Sequence, residues 1–461
     1  VRLAHASLLL TRMREAEFQW DKLPTAQWLS GFGILIHDLR VALTFCDECG
    51  EVRLYHELLA SSAIVWTQLG LMNEQLRHIE KAIRAFDLEP STDALLESQL
   101  RSAYGSIAYN VHSVDGDAEA RRQFELAAQS ARSLDDATGL LRAGSGVCAI
   151  LTTQGRYRDA NEVAWDLQRD LGQAAESAVN RILAHNSHYL GAHEDAYEYA
   201  ARALRANGQA VRGTLTSGAN FGQKTLSLMV MAKTAYIRGH IKTSLEHLDD
   251  LTSDILLVDH PISTCLGLAV GACPIYFGLG ELQLGHRFLG ILRDVSTKHS
   301  LFRWQEWVEG YEYSLGASHV DQEAAAACLR HGGNGPRLEN VVAVAGKKAG
   351  LELIDLALSG EAGWCHAELV RLKGEILLDR GDRNGRDLLL EGFHTAELHS
   401  ALTWQLRCAT SLAKHGSRLT LDADRERLAK TLGLFPGSPP KGDMLMAELA
   451  LTLVPAEVQE A

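Results

Sequence analysis

Proline is scarce in this chain. Nine of its 461 residues are proline, and none lies between Pro90 and Pro261. Average chains carry about 5 %. Proline inside a helix costs about 3 kcal/mol, so a long proline-free stretch rich in Ala, Leu, Arg and Glu reads as helix. Alternating apolar and polar residues are also missing. The one short apolar run, Val341 to Val344, has helix-like neighbours, which argues against a sheet. Basic charge is in deficit: 45 Lys and Arg stand against 58 Asp and Glu, a net of −13. Phosphate backbones attract basic faces, so neither direct nucleic-acid binding nor an acidic-membrane partner is expected. Cysteine is thin: eight residues, with only Cys46 and Cys49 close together. A structural zinc site needs a second ligand pair. Cys148, Cys265, Cys273, Cys328 and Cys408 lie among small or apolar neighbours, as buried free thiols do, and the expectation is a reducing compartment, the cytoplasm. No run of about 18 apolar residues is long enough to cross a membrane, and no signal peptide is evident. The sequence starts at Val1, not Met, which reads as a fragment or a processed product.

What the chain has is repetition. A pattern of glycine, any residue, a bulky residue, two more and then a small residue recurs. It covers Gly155, Tyr157 and Ala160; Gly191, His193 and Ala196; Gly239, Ile241 and Ser244; and Gly280, Leu282 and Gly285. Gly116 to Ala120 is a looser copy. Glycine ends a helix by entering the left-handed region. The small residue belongs where the next helix meets its neighbour closely. After each glycine the apolar residues are spaced by three and four: Tyr157, Ala160, Val163, Ala164, Leu167, Leu171; Ala120, Phe124, Ala127, Ala131, Leu134; Ile241, Leu245, Leu248, Leu251. Such helix pairs cannot bury both stripes alone and must stack. The expected fold is an all-α, TPR-like superhelix, with a period longer and less regular than the usual 34 or so residues. The pattern breaks at a long connection over 207–220, a turn at 331–336, and a loop at 433–442 before a last helix at about 443–451. Cys273 and Pro274 sit inside an apolar run, where proline should kink or break a helix.

Several segments also carry a family likeness. They are 28–45, with Trp28, Asp38, Arg40 and Phe45; Trp66 to Gly70; Gly271 to Pro274; Trp364 to Glu375; and Leu402 to Ala413, with Trp404 and Arg407. In this order they resemble the helical-repeat half of predicted ATPases fused to winged-helix transcriptional regulators, the STAND-type signal-transduction ATPases. The match departs at about 316–360, where the family has longer helices. The phosphate loop Gly-x-x-x-x-Gly-Lys-Ser/Thr is absent, so the likeness covers the sensor half only. It implies connecting helices at 1–45 that join a missing ATPase half, repeats over 46–330, and further repeats over 331–461 in the same superhelix. It also implies a non-enzymatic module that binds a protein partner or small effector on its concave face and acts on its own ATPase half. A free-standing scaffold for protein partners is the alternative. No cofactor and no metal are expected.

Candidate binding residues are Trp66, Tyr104, His366, Glu368, Arg371, Lys373, Trp404 and Arg407. Tyr109, Trp304 and Trp307 join the aromatics that line either the groove or the core. Around Trp364 the stripe Trp364, Ala367, Val370, Leu372 and Ile376 reads as buried. His366, Glu368, Arg371, Lys373 and Glu375 then read as a solvated face, or as a polar patch facing a groove. His185, His188 and His193 lack the fixed spacing of a metal site, since 193 lies beyond the Gly191 turn. Cys365 and His366 are adjacent and point apart on a helix. An enzyme would need a pocket holding several ionisable groups with displaced pKa values.

Overall fold

The computed structural model describes residues 1–20, 22–23, 25–88, 93–112, 114–206, 222–417 and 419–452. The expected 207–220 connection lies outside them. Among the described residues the chain forms 26 α-helices and no strand. The run Val341 to Val344 belongs to helix Pro336–Ala345. The 331–336 turn joins helix Gln322–His331 to that helix, with Pro336 in its first turn, where a missing N–H is harmless. The last helix is Lys441–Thr452.

The junction pattern works as its chemistry requires. The bulky residue opens the new helix in all four copies, at Tyr157, His193, Ile241 and Leu282. The small residue is buried each time: Ala160, Ala196 and Ser244 are 0 % exposed. A Cβ on Gly285 would fall 2.4 Å from the Phe277 ring. The Ser244 hydroxyl donates back to the Ala232 carbonyl at 2.8 Å, so the two backbones are in close contact. Further junctions have another residue in the left-handed region. Asp135, Asp259, Ser300 and Ser400 also have φ between 48° and 53°. Each stands two residues before a helix, at Ala137, Pro261, Phe302 and Leu402. One stripe residue departs from expectation: Leu134 is 43 % exposed, because its helix ends at Ser133.

Pro274 neither breaks nor sharply ends its helix. A π-helical turn over Gly267–Ala272 links Pro261–Leu266 to Cys273–Leu279. The widened turn makes room for the proline ring, which would otherwise strike the carbonyl four residues back. The stretches 25–49 and 261–279 are long and apolar enough to cross a membrane by length and composition, contrary to the sequence reading. The window in the second is 89 % buried inside the protein, as a core helix is.

The helices before the junctions, such as Ala94–Val111, Ala137–Thr153, Glu176–Tyr189 and Gln223–Ile237, lie on the inside of the superhelix. They are buried on several faces, polar positions included. The reason is a second superhelical turn packed on the first. Trp304 Nε1 donates to Asn110 Oδ1 at 3.2 Å, Tyr157 donates to Glu339, and Thr403 Oγ1 donates to the Tyr236 carbonyl at 2.6 Å. The partners are 194, 182 and 167 residues apart. The separation falls along the seam, where several later helices are short: 10, 10 and 9 residues in Gln322–His331, Pro336–Ala345 and Gly350–Leu358. The glycine junctions mark the seam. A Cβ on Gly155 would meet the Asn334 carbonyl at 2.9 Å, one on Gly191 the His399 ring at 2.7 Å, and one on Gly239 Leu402 at 2.9 Å. Trp364 N donates to the Tyr189 carbonyl at 3.0 Å beside the Gly191–Gly363 crossing.

Residues 1–45 pack into the same core as the repeats. Trp20 and Trp28 meet edge-on at 4.9 Å, and Trp28 Nε1 donates to the Ala16 carbonyl at 2.8 Å. Thr25 Oγ1 donates to the Val258 carbonyl at 2.7 Å, which ties this segment to helix Ile241–Val258. One apolar cluster runs from Ala6 to Trp404, and a second, from Leu389 to Ala450, holds the last helices.

Candidate functional site: a cleft at the seam

The structure separates four of the eight residues singled out in the sequence. Trp66 is 0 % exposed, with Nε1 donating to Ser62 Oγ at 2.9 Å. Tyr104 is half-buried against the core. Lys373 pairs with Asp355 at 2.8 Å, and His366 lies 3.9 Å from Glu391; both are partly exposed. The other four come together. Glu368 holds Arg371 through two hydrogen bonds of 2.7 and 2.8 Å. Arg407 lies 3.4 Å from Glu368 and 2.9 Å from Asp443, and its guanidinium sits 4.9 Å from the Trp404 ring centre.

These charges are inside the protein, where a solvated face was expected. Glu368 is 1 % and Glu375 7 % exposed. Helix His366–Asp379 is covered by Gly350–Leu358, Gly385–Leu398 and Leu402–Lys414 together, so little of it is left for water. Burial works to raise the Glu368 pKa, but Arg371 and then Arg407 hold it below the usual carboxylate range. Arg407 also donates to the Gly278 carbonyl at 3.1 Å. The cluster therefore clamps helices from both superhelical turns. Beside it, Trp404, Arg407, Trp364 and Lys233 line a small cavity.

A second buried group binds the turns nearer the middle of the seam. Glu339 accepts from Tyr157 and, at 2.5 Å, from Trp364 Nε1. Lys233 Nζ donates to Asn340 Oδ1 at 3.0 Å and lies 4.4 Å from the Trp364 ring centre. Burial pushes Glu339 up to about 7 and pulls Lys233 down to about 7. His188 and His193 pack alongside, ring nitrogens 3.3 Å apart. Burial pulls both imidazoles well down, His193 to about 3. Among the described residues no three His, Cys, Asp or Glu side chains gather as metal ligands. Cys46 is buried, Cys49 is exposed, and both thiols are free. Cys365 is buried, and burial raises its thiol well above the ordinary range.

A cleft opens along the seam between the two turns. Helices Ala137–Thr153 and Glu176–Tyr189 form one wall. Helix Phe302–Leu315 and the turn before Pro336 form the other. Three of the aromatics noted in the sequence line it: Tyr109, Trp304 and Trp307, the two indoles stacked with centres 6.5 Å apart. Its second-turn charges are already paired. Arg303 is bound to Asp117 and to the Tyr109 carbonyl, and Arg337 to Glu306. On the first-turn wall, Ser145 Oγ and His185 Nε2 have no hydrogen-bond partner among the described residues. They do not bond to each other, so no activated nucleophile is formed. Arg181 shares this wall.

The sequence reading missed Ser145, Arg181, Lys233 and Glu339. A signal existed for two of them. Arg181 and Lys233 each stand in an apolar helix with no acid three or four residues to either side. A lone cation so placed has no local ion-pair partner.

No family model matches the sequence, and no curated protein matches it either. Among solved structures the chain is similar to a Rap protein crystallised in complex with the competence and sporulation factor. The TM-score is 0.48 at 11 % identity, over 92 % of this chain and 99 % of that one.

Proposed function

We propose that this chain is a non-enzymatic sensor module that takes up an effector or partner segment in the seam cleft. The observation that carries the reading is the cleft's construction: one wall comes from each superhelical turn. A ligand touching both walls binds the closed pairing of turns better than a separated one. That differential affinity is what a conformational signal requires. Catalysis is disfavoured by the chemistry of the polar groups. Both Glu339 oxygens are held by Tyr157 and Trp364, and Lys233 is held by Asn340.

The resemblance to the repeat half of winged-helix ATPase regulators supplies the context: the ATPase half would read the state of the seam. The test is to follow hydrogen exchange in Glu176–Tyr189 and His366–Asp379 while candidate effectors are titrated, with and without that ATPase half. Ligand binding should protect both helices and change ATPase activity. A ligand that fills the cleft and changes neither would rule the sensor reading out.

A further inference from the structure

We infer that the cleft is built to receive the carboxylate of an otherwise apolar ligand, with Arg181 as its counter-charge. The inference rests on reading the cleft as a ligand site. Arg181 is 7 % exposed and lies on helix Glu176–Tyr189. Among the described residues its guanidinium makes a single hydrogen bond, Nε donating to the Ser177 carbonyl at 3.3 Å. Among the described residues no carboxylate lies within ion-pair distance. The acids near the cleft are committed elsewhere, Glu306 to Arg337 and Asp117 to Arg303. A buried charge is normally paired, because desolvating it alone costs several kcal/mol. Burial with nothing to offset it pulls the Arg181 pKa down to about 10, which leaves the group cationic at neutral pH.

Two further groups on the same wall are unsatisfied. Ser145, on the neighbouring inner helix, is 9 % exposed, and its hydroxyl has no partner. His185 lies one helical turn beyond Arg181, and its Nε2 has no partner. Burial, and then Lys233, pull the His185 pKa down to about 3, so the ring is neutral. The set is therefore one fixed cation, one hydroxyl and one neutral imidazole. It balances a single negative charge, and a carboxylate lies flat against a guanidinium in two parallel hydrogen bonds. A phosphate dianion would be left half-neutralised, since the other cations of the cleft are already paired. Much of the remaining cleft lining is apolar or aromatic, with Ile182, Leu226 and Leu266, and with Trp304 and Trp307 on the opposite wall. That surface suits a hydrocarbon or aromatic body attached to the acid.

The probes are 3-phenylpropanoate, its neutral amide 3-phenylpropanamide, and phenyl phosphate, titrated calorimetrically into the whole chain and into Arg181→Gln and Arg181→Lys variants. The acid should bind roughly tenfold or more tighter than the amide, the size expected of a charge-assisted pair. Arg181→Gln should abolish that preference and leave amide binding unchanged, while Arg181→Lys should keep part of it. Arg181 has no acid to leave stranded, so Arg181→Gln should also unfold at the same urea concentration as the parent or a higher one. Equal binding of acid and amide, or a preference that survives Arg181→Gln, overturns the carboxylate inference and leaves the cleft reading standing. Tighter binding of phenyl phosphate than of the acid overturns the choice of a monoanion. A lower urea midpoint for Arg181→Gln makes the arginine a structural group and overturns the inference. Absence of binding by all three probes sinks the inference and the cleft reading together.

Discussion

Arg407 shows how much structural work one buried charge performs here. It meets Glu368, Asp443 and the Gly278 carbonyl, and it lies against Trp404. Replacing it with methionine keeps the bulk, leaves the buried Asp443 carboxylate without its cation and leaves Glu368 with Arg371 alone. The expected loss is about 3–5 kcal/mol in urea unfolding. A loss below about 1 kcal/mol would mean that the cluster is well hydrated and no clamp. The buried histidines give a pH signature of definite sign. His185 and His193 titrate near 3 when folded, against 6.5 for the free ring. The unfolded chain therefore takes up protons that the folded one refuses. Their contribution is complete above pH 6.5 and is lost as pH falls toward 3, by up to about 1.4 kcal/mol per pH unit for each ring. Glu339 acts in the opposite sense between pH 7 and 4.5, since its folded pKa is raised, but it is one group against two. Urea midpoints should therefore drop between pH 6.5 and 5, and His193→Gln should flatten the drop. An unchanged slope in that variant removes the histidine from the account. Little of this residue-level picture was legible beforehand. The charges of 364–375 read as a solvated face, because a helix considered alone offers its polar side to water. What reversed the reading was a neighbouring helix on every side.

At the scale of the element, the helix junctions were the most legible part of the chain. A glycine needs its left-handed conformation there, and the small residue after it needs the next helix at close range. Both demands are local and leave a mark in sequence. The limit of the rule is also instructive. Ser300 and Ser400 take the same conformation without being glycine, at a local cost of about 1–2 kcal/mol. The glycines themselves differ. Gly155, with φ +73°, has the Asn334 carbonyl where a Cβ would go, whereas Gly280, with φ +79°, has nothing within 4 Å. Gly280→Ala should therefore lose about 1 kcal/mol from the backbone alone. Gly155→Ala should lose clearly more, because it also pries the seam. Equal losses in urea unfolding would show that the Gly155–Asn334 approach relaxes freely.

For the whole molecule, the decisive feature is contact between superhelical turns. A simple solenoid touches only its sequence neighbours and unfolds in parts. Here Glu339, which also accepts from Trp364, is bonded to Tyr157 across 182 residues of chain, so the turns should lose structure together. Glu339→Leu should reduce hydrogen-exchange protection in both Ala137–Thr153 and His366–Asp379. A loss confined to the second of these would mean that the turns are stable independently.

The sequence by itself determined the helices, their junctions, the stripes that bury them and the absence of strand patterning, because each depends on residues within about a dozen positions. It also named the aromatics of the cleft, without saying which of them faced it. Only the tertiary structure decided that Tyr109, Trp304 and Trp307 line a cavity while Trp66 fills the core. It alone placed Arg181 in a buried wall with no acid opposite among the described residues. Those outcomes depend on the rotation accumulated over many repeats. A small change in rotation at each junction moves residues more than 160 positions apart into or out of contact, and no local pattern in the chain records that sum.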